Sequence, residues 1–448
     1  MLLSAHYVLP VTSPHIEDGG VVVRGEEIID VGPIADLLER YPDEEHLDFG
    51  PAVLMPGFVD LHTHLEYTAF RGVVDDLPYS QWKLELMQKE AAFRPEDWEG
   101  SARLGALEAI QSGITTLADI TSSGSSARAA AAAGLRGTVY REVATMAKPA
   151  VPALMEKAAA DIAAWDELSD LLRIGIAPHA PYTCHPELFR AVSRFACGGG
   201  VPAAIHLAGS HEEYEFIKYG SSPFATEFEE NHHSWSDAGW LPTGVSPVRY
   251  VLQWGLFDVP ELLAVHCVQV DSSDIDVLAS HGVAVAYCAR CNAKLGMGVA
   301  PLKELIEAGI VVGIGTDSPA SNSTIDFFDE MRIGLLLQRA VLGEGSWYPA
   351  EQFVRMATIE GARALRLDDQ VGSIEPGKQA DLIVVDLSTT HQVPTRNPHS
   401  ALVHRANQEN VLFTMVAGQI LYNLGDFRTV DVDRVIDEVE RMRTRLRA

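Results

Sequence analysis

Residues 56–64 read Pro56-Gly57-Phe58-Val59-Asp60-Leu61-His62-Thr63-His64, an apolar run that closes on two histidines separated by one residue. A strand sends alternate side chains to one face, so His62 and His64 are expected to point the same way, as two ligands converging on one metal must. Three further polar residues punctuate later apolar runs: His206, His266 and Asp317. Only a closed, repeating architecture brings the ends of such distant strands together. The α/β barrel of the (β/α)8 TIM type does so, with its sites at the C-terminal ends of its strands. The sequence therefore reads as that of a metal-dependent enzyme.

Working outward from this stretch, apolar strands alternate with amphipathic helices. After the His62 strand come TTLADI (115–120), GTVYREV (137–143), RIGIAPHAP (173–181), PAAIHLA (202–208), LLAVHCVQV (262–270), VAVAYCARC (283–291) and VVGIGTDSP (311–319). These make the eight strands that a closed barrel requires. The flanks differ: HYVLPV (6–11) and GGVVVRGEEIIDVG (19–32) read as short strands and turns, with one helix at Ile34–Tyr41. GSIEPGKQADLIVVDL (372–387) and NVLFTMVAGQILYNLG (410–425) revert to strand and turn, and Val432–Arg447 reads as a charged terminal helix. The expected organisation is a barrel over 55–370 interrupting a small β-sandwich module, whose halves are 1–54 and 371–448.

Composition narrows the function classes. A chain of 448 residues, 47% hydrophobic, can bury a large core. The formal net charge of −28 argues against nucleic-acid or anionic-membrane partners, which call for a basic footprint. The first twenty residues carry no basic n-region and meet polar residues and prolines early, unlike a signal peptide or a membrane span. Five cysteines without framework spacing fit a reducing compartment, so a cytoplasmic location is expected. The expected partner is a small molecule; whether the chain forms a homo-oligomer is left open.

PGFVDLHTH, the late GTD followed by SPASN, and GSIEPGKQADLIVVD together resemble the amidohydrolase superfamily, in its branch of deaminases and chlorohydrolases acting on purine-like and triazine-like rings. The resemblance covers nearly the whole chain. HTHLEY, APHAPYTC and CNAKLGMGVAP are most similar to the deaminases of adenosine derivatives, the methylthioadenosine, adenosylhomocysteine and aminodeoxyfutalosine types among them. It implies that His62, His64, His206 and Asp317 hold one divalent metal, and that His266 assists the attacking water. Bimetallic relatives place a lysine on the fourth strand; RIGIAPHAP has none, which favours a single ion. Imidazoles with a carboxylate suit Zn2+, and also Fe2+ or Mn2+. Attack on a ring carbon bearing an amino group releases ammonia after protonation, with Asp317 able to accept the first proton.

One departure stands out. The resembling deaminases follow the fifth-strand histidine, after two intervening residues, with a glutamate that shuttles protons; here Gly209 stands at that place in His206-Leu207-Ala208-Gly209-Ser210-His211-Glu212-Glu213. Glu212 and Glu213 are the nearest candidates to substitute, with His211 beside them, although a carboxylate pair at a helix N-terminus is also simply favourable with the helix dipole. Glu66 and His179 are expected substrate contacts by the resemblance, and Trp82 and Arg71 lie on the long first loop, where stacking on a planar ring is plausible. Asn322 and Arg290 are candidates for shaping the pocket. Phe224–Trp240 reads as a lid candidate carrying His232 and His233, and Cys288-Ala289-Arg290-Cys291 has redox or zinc spacing but lacks a second pair. The alternatives to a nucleoside deaminase are a hydrolase or dechlorinase of another nitrogen heterocycle, and a metal-retaining protein with weakened catalysis.

Overall fold

A computed structural model describes residues 1–230 and 242–446, with side chains placed up to 226 and from 242 to 442. His232 and His233, and the lid candidate from residue 231 onward, lie outside the described residues. Eight parallel strands follow one another in chain order around the barrel: Phe58–Thr63, Ile114–Thr121, Arg136–Val143, Leu172–Pro178, Ala203–Leu207, Leu262–His266, Ala284–Tyr287 and Val312–Ile314. Alternation sorts their side chains. Val59, Leu61, Ala118, Ile120, Tyr140, Ala177, Ala204, Leu263, Val265 and Ala286 fill the interior, while Phe58, Leu117, Val139, Ile174, Ile205, Ala264 and Val285 pack outward against helices such as Pro95–Gln111. Truncating a buried leucine of such a core costs about 2–5 kcal/mol.

The ring closes between the first and eighth strands through the residues that the opening motif contains. The Asp317 N–H donates to the His62 carbonyl at 2.7 Å. The Asp60 carboxylate accepts from the Thr316 N–H (2.9 Å) and hydroxyl (2.6 Å). Gly315 permits this approach, since a Cβ there would stand 2.9 Å from His62 Cβ and 3.0 Å from the Cys288 sulfur. Burial pushes the Asp60 carboxyl up to about 7 against these hydrogen bonds.

The chain ends build a second, nine-stranded sheet. Its two halves are joined where Ala52–Pro56 pairs antiparallel with Leu382–Asp386, Leu54 opposite Val384. Its far edge turns back on itself, the Ala380 N–H donating to the Glu26 carbonyl at 2.7 Å, around a core of Leu3, Val21, Leu54, Val384 and Phe413. Pro56 thus ends the terminal sheet and Phe58 begins the barrel, so the sheet fixes the start of the strand that carries His62 and His64.

Candidate active site

The barrel mouth gathers His62, His64, His179, His206, His266 and Asp317 from the ends of the first, fourth, fifth, sixth and eighth strands, all buried. The ring centroids of His62 lie 4.7 Å from His64 and 4.9 Å from His206, and His206 lies 5.7 Å from His266. Nitrogens of His62, His206 and His266 fall within 4.8 Å of one another, as do the donor atoms of His62, His64 and Asp317. Asp317 Oδ1 stands 3.5 Å from His62 Nε2 and 3.8 Å from His64 Nε2.

The main chain decides which nitrogen carries each proton. His64 Nδ1 lies 2.8 Å from the Ile120 carbonyl and His206 Nδ1 lies 2.9 Å from the His179 carbonyl. A carbonyl only accepts, so both Nδ1 atoms are protonated and both Nε2 atoms present bare lone pairs. Those two Nε2 atoms face each other at 3.3 Å, and His62 Nε2 is buried without a hydrogen-bond partner among the described residues. Lone pairs converging on one point, with a carboxylate beside them, fit a divalent metal and no hydrogen-bond network of their own. Burial, and then the neighbouring His62, push His64 down to about 3; burial likewise lowers His206 and His179 well below the usual histidine range. Burial alone would raise Asp317, but His62, 3.5 Å away, and then His266 and His64 hold it well below the usual carboxylate range. The neutral imidazoles of His64 and His206 beside an ionised carboxylate are part of the donor set that a cation requires.

The backbone is bent to achieve this. Ala208, His266, Cys267 and Asp317 all take positive φ, at 50°, 76°, 47° and 59°. Each such non-glycine residue costs about 1–3 kcal/mol, and they cluster where the strands deliver their polar ends. His266 Nδ1 is 3.0 Å from Asn292 Oδ1. The Cys291 thiol donates to Asp317 Oδ2 at 2.7 Å; both cysteines of the pair are free and buried, so the spacing serves the packing behind Asp317.

Above the histidines lies a narrow cavity of about 50 Å³, lined by His64, His179, His206, Asp317 and Ser318 at its floor and by Tyr67, Tyr79, Trp82, Lys83, Leu86, Glu142 and Leu295 around its wall. Trp82 and His179 are therefore brought to the cavity. The Trp82 indole is buried with its Nε1 unpartnered, and Tyr79 stacks on it with centroids 6.2 Å apart. Phe224 stacks on Tyr182 at 4.3 Å and closes the rim near Tyr79.

Six residues expected at the cavity stand elsewhere. Glu66 does not face the cavity: its carboxylate accepts from the hydroxyls of Thr121 (2.6 Å), Ser122, Ser123 and Ser125 and from the Ser122 N–H (3.0 Å), which consumes its lone pairs beneath the second strand's end. Arg71 turns outward into an ion pair with Glu108. Glu213 turns back from the first turn of the helix His211–Tyr219 and accepts from the Ala208 and Gly209 N–H groups at 2.9 and 3.0 Å, so it holds the fifth strand's end rather than the site. Glu212 lies outside the cavity wall, with the Ser80 hydroxyl 3.5 Å away. Asn322 donates to the Thr316 carbonyl and Glu330, and Arg290 pairs with Asp329, so both brace the scaffold. Glu142 and Lys83 were not singled out from sequence; alternation from the interior Tyr140 marks Glu142 as inward-facing at a strand end.

Comparison with known proteins gives the same direction. Residues 53–421 match the amidohydrolase family. The chain is 34% identical over 435 residues to a 5-methylthioadenosine/S-adenosylhomocysteine deaminase of Moorella thermoacetica, covering 96% of each chain. It is 32% identical to a 5'-deoxyadenosine deaminase of Methanothermobacter thermautotrophicus, again covering 96% of each. In structure it resembles an adenosine deaminase of Xanthomonas campestris with bound zinc, with a TM-score of 0.87 and 29% identity, covering 100% of this chain and 98% of that one.

Proposed function

Because the chain belongs to the amidohydrolase family, we propose that it is a hydrolytic deaminase of adenosine derivatives, working with a single zinc ion held by His62, His64, His206 and Asp317. The observation that carries this reading is the pair of bare Nε2 atoms of His64 and His206, facing each other beside Asp317 at the floor of a ring-lined cavity. Zinc bound there would supply Lewis acidity and bring the deprotonation of water into the neutral range.

The chain's own residues do the rest. Trp82, Tyr67, Leu86 and Leu295 offer the flat face of a heterocycle an apolar, partly aromatic wall. Asp317 is ionised and accepts a proton from the attacking water. His266, oriented by Asn292, holds its unprotonated Nε2 toward the same point and positions that water or the oxygen it becomes. His179, steadied by the Thr183 hydroxyl at 2.7 Å, stands over the ring or its sugar.

We place the boundary between the barrel and the terminal module near residues 54 and 370, and the protein in the cytoplasm, which the free cysteines support. No helix among the described residues is long and apolar enough to cross a membrane. A second reading, a metal-holding protein of weakened catalysis, is favoured by Gly209, where a carboxylate would be expected. Ammonia release from a panel of adenosine derivatives and free aminopurines by the zinc-loaded protein decides between them. The deaminase reading expects turnover of at least one nucleoside, and the second reading expects none.

A further inference from the structure

A carboxyl group is missing at Gly209, and the fold shows where it would have pointed. A Cβ built there stands 3.2 Å from His266 Cδ2 and 2.8 Å from the methyl of Met297, facing the site. Hydrolytic deamination still needs a group that protonates the ring nitrogen. Both oxygens of Glu213 are held by main-chain N–H groups. Glu66 is saturated by hydroxyls, and Asp60 and Asp119 accept from Thr316 and the Leu65 N–H beneath the site. Of the carboxyls among the described residues that line the cavity, Asp317 and Glu142 remain.

Glu142 is the penultimate residue of the third strand. It pairs with Ala177, so the ring of His179 at the next strand's end is its neighbour around the mouth. Its carboxyl makes no hydrogen bond and no ion pair among the described residues, although it is held inside the protein wall beside a lysine, Lys83, that is equally unpartnered. Glu142 is half-buried and lines the cavity, so its uncommitted carboxyl is open to a ligand there. We propose that Glu142 is the proton carrier of this site, donating to the substrate ring in place of the carboxyl absent at Gly209. Burial pushes its carboxyl up to about 7 against the opposing pull of Lys83, so the acid form is present near neutrality.

The step balances. As the water oxygen bonds to the amino-bearing ring carbon, the π pair of the adjoining C=N bond moves to the ring nitrogen, which takes the proton of Glu142. Asp317 takes the proton that the water gives up. The amino group then takes that proton from Asp317, the C–N bond breaks with its pair going to nitrogen, and ammonia leaves. The hydroxyl proton returns to Glu142 as the carbonyl forms, which restores both carboxyls.

The inference rests on the deaminase reading, and the experiment separates the two. Turnover, the Michaelis constant and zinc content are measured for the zinc-loaded wild type, Glu142→Gln and Glu142→Asp on the best nucleoside of the panel. Glu142→Gln keeps the shape but carries no proton, and its kcat is expected to fall by about 10²–10⁴ with one zinc retained and the Michaelis constant little changed. Glu142→Asp recovers part of the rate. Undiminished kcat in Glu142→Gln, or a loss confined to the Michaelis constant, overturns the assignment while leaving the deaminase reading intact. A wild type that releases no ammonia from any nucleoside removes both.

Discussion

His64 and His206 face each other with Nε2 atoms 3.3 Å apart, while the Nδ1 of each is committed to a main-chain carbonyl. Two imidazoles so fixed repel unless a cation lies between them. Replacing His62, His64 or His206 by alanine is therefore expected to abolish stoichiometric metal and turnover together, as measured by elemental analysis and ammonia release. His266→Ala is expected to keep most of the metal and lose rate. Chelation should also lower the melting temperature, since a ligand present at 1,000 times its Kd contributes about 4.1 kcal/mol to folding. Full metal content in the His62→Ala/His64→Ala double variant contradicts the site.

Glu66 is bound by a cradle of serine and threonine hydroxyls. Glu66→Gln turns one acceptor into a donor inside that cradle, where a hydrogen bond to a charged group is worth about 1.5–3 kcal/mol. The expected result is a lower melting temperature with the Michaelis constant for nucleosides unchanged. A large rise in that constant, at unaltered stability, would return Glu66 to the substrate.

Glu330 gives the fold a pH dependence. It is buried, accepts from the Arg290 N–H at 2.9 Å and from Asn322, and burial pushes it from an ordinary 4.5 up to about 8. A raised acid binds its proton more tightly when folded, so its contribution to stability is complete below about 4 and is lost as pH rises through about 8. Denaturant titrations across that window should show stability falling with pH in the wild type and a flatter profile in Glu330→Gln. Identical profiles would mean that Glu330 does not titrate there.

Gly209 has an ordinary backbone conformation, so a larger residue fits once the Met297 methyl gives way. If Glu142 carries the proton, Gly209→Glu is expected to restore turnover to Glu142→Gln while changing the wild type by less than about 10², the lower reach of a single acid–base group. A wild type raised a hundredfold or more by Gly209→Glu would mean that the site had been waiting for its acid.

The barrel and the convergence of histidines and Asp317 at its mouth are legible because both obey local rules: period-two alternation places the strands, and polar residues closing apolar runs mark their C-terminal ends. The one-residue spacing of His62 and His64 carried over directly. The acids did not follow, because a carboxylate's role is set by what saturates it. Nothing in HTHLEY discloses that Ser122, Ser123 and Ser125, nearly sixty residues on, enclose Glu66. Glu213 looked like a first-turn carboxylate and is one, yet its side chain turns back to cap the strand before it. Arg71 was placed by its loop, and its partner Glu108 sits on a helix that the sequence does not bring near. Glu142 was hidden within a strand whose inward face could have been counted from Tyr140.

Hydrolytic deamination is tested most directly by the product formed in heavy-oxygen water. Zinc-loaded protein is incubated with 5'-methylthioadenosine, S-adenosylhomocysteine or 5'-deoxyadenosine, and the purine product is weighed by mass spectrometry while ammonia is assayed in parallel. The expected result is one equivalent of ammonia per product, and a single heavy oxygen at the ring carbon that had borne the amino group. Zinc bound at one equivalent with neither ammonia nor labelled product from any of the three would contradict the proposed function.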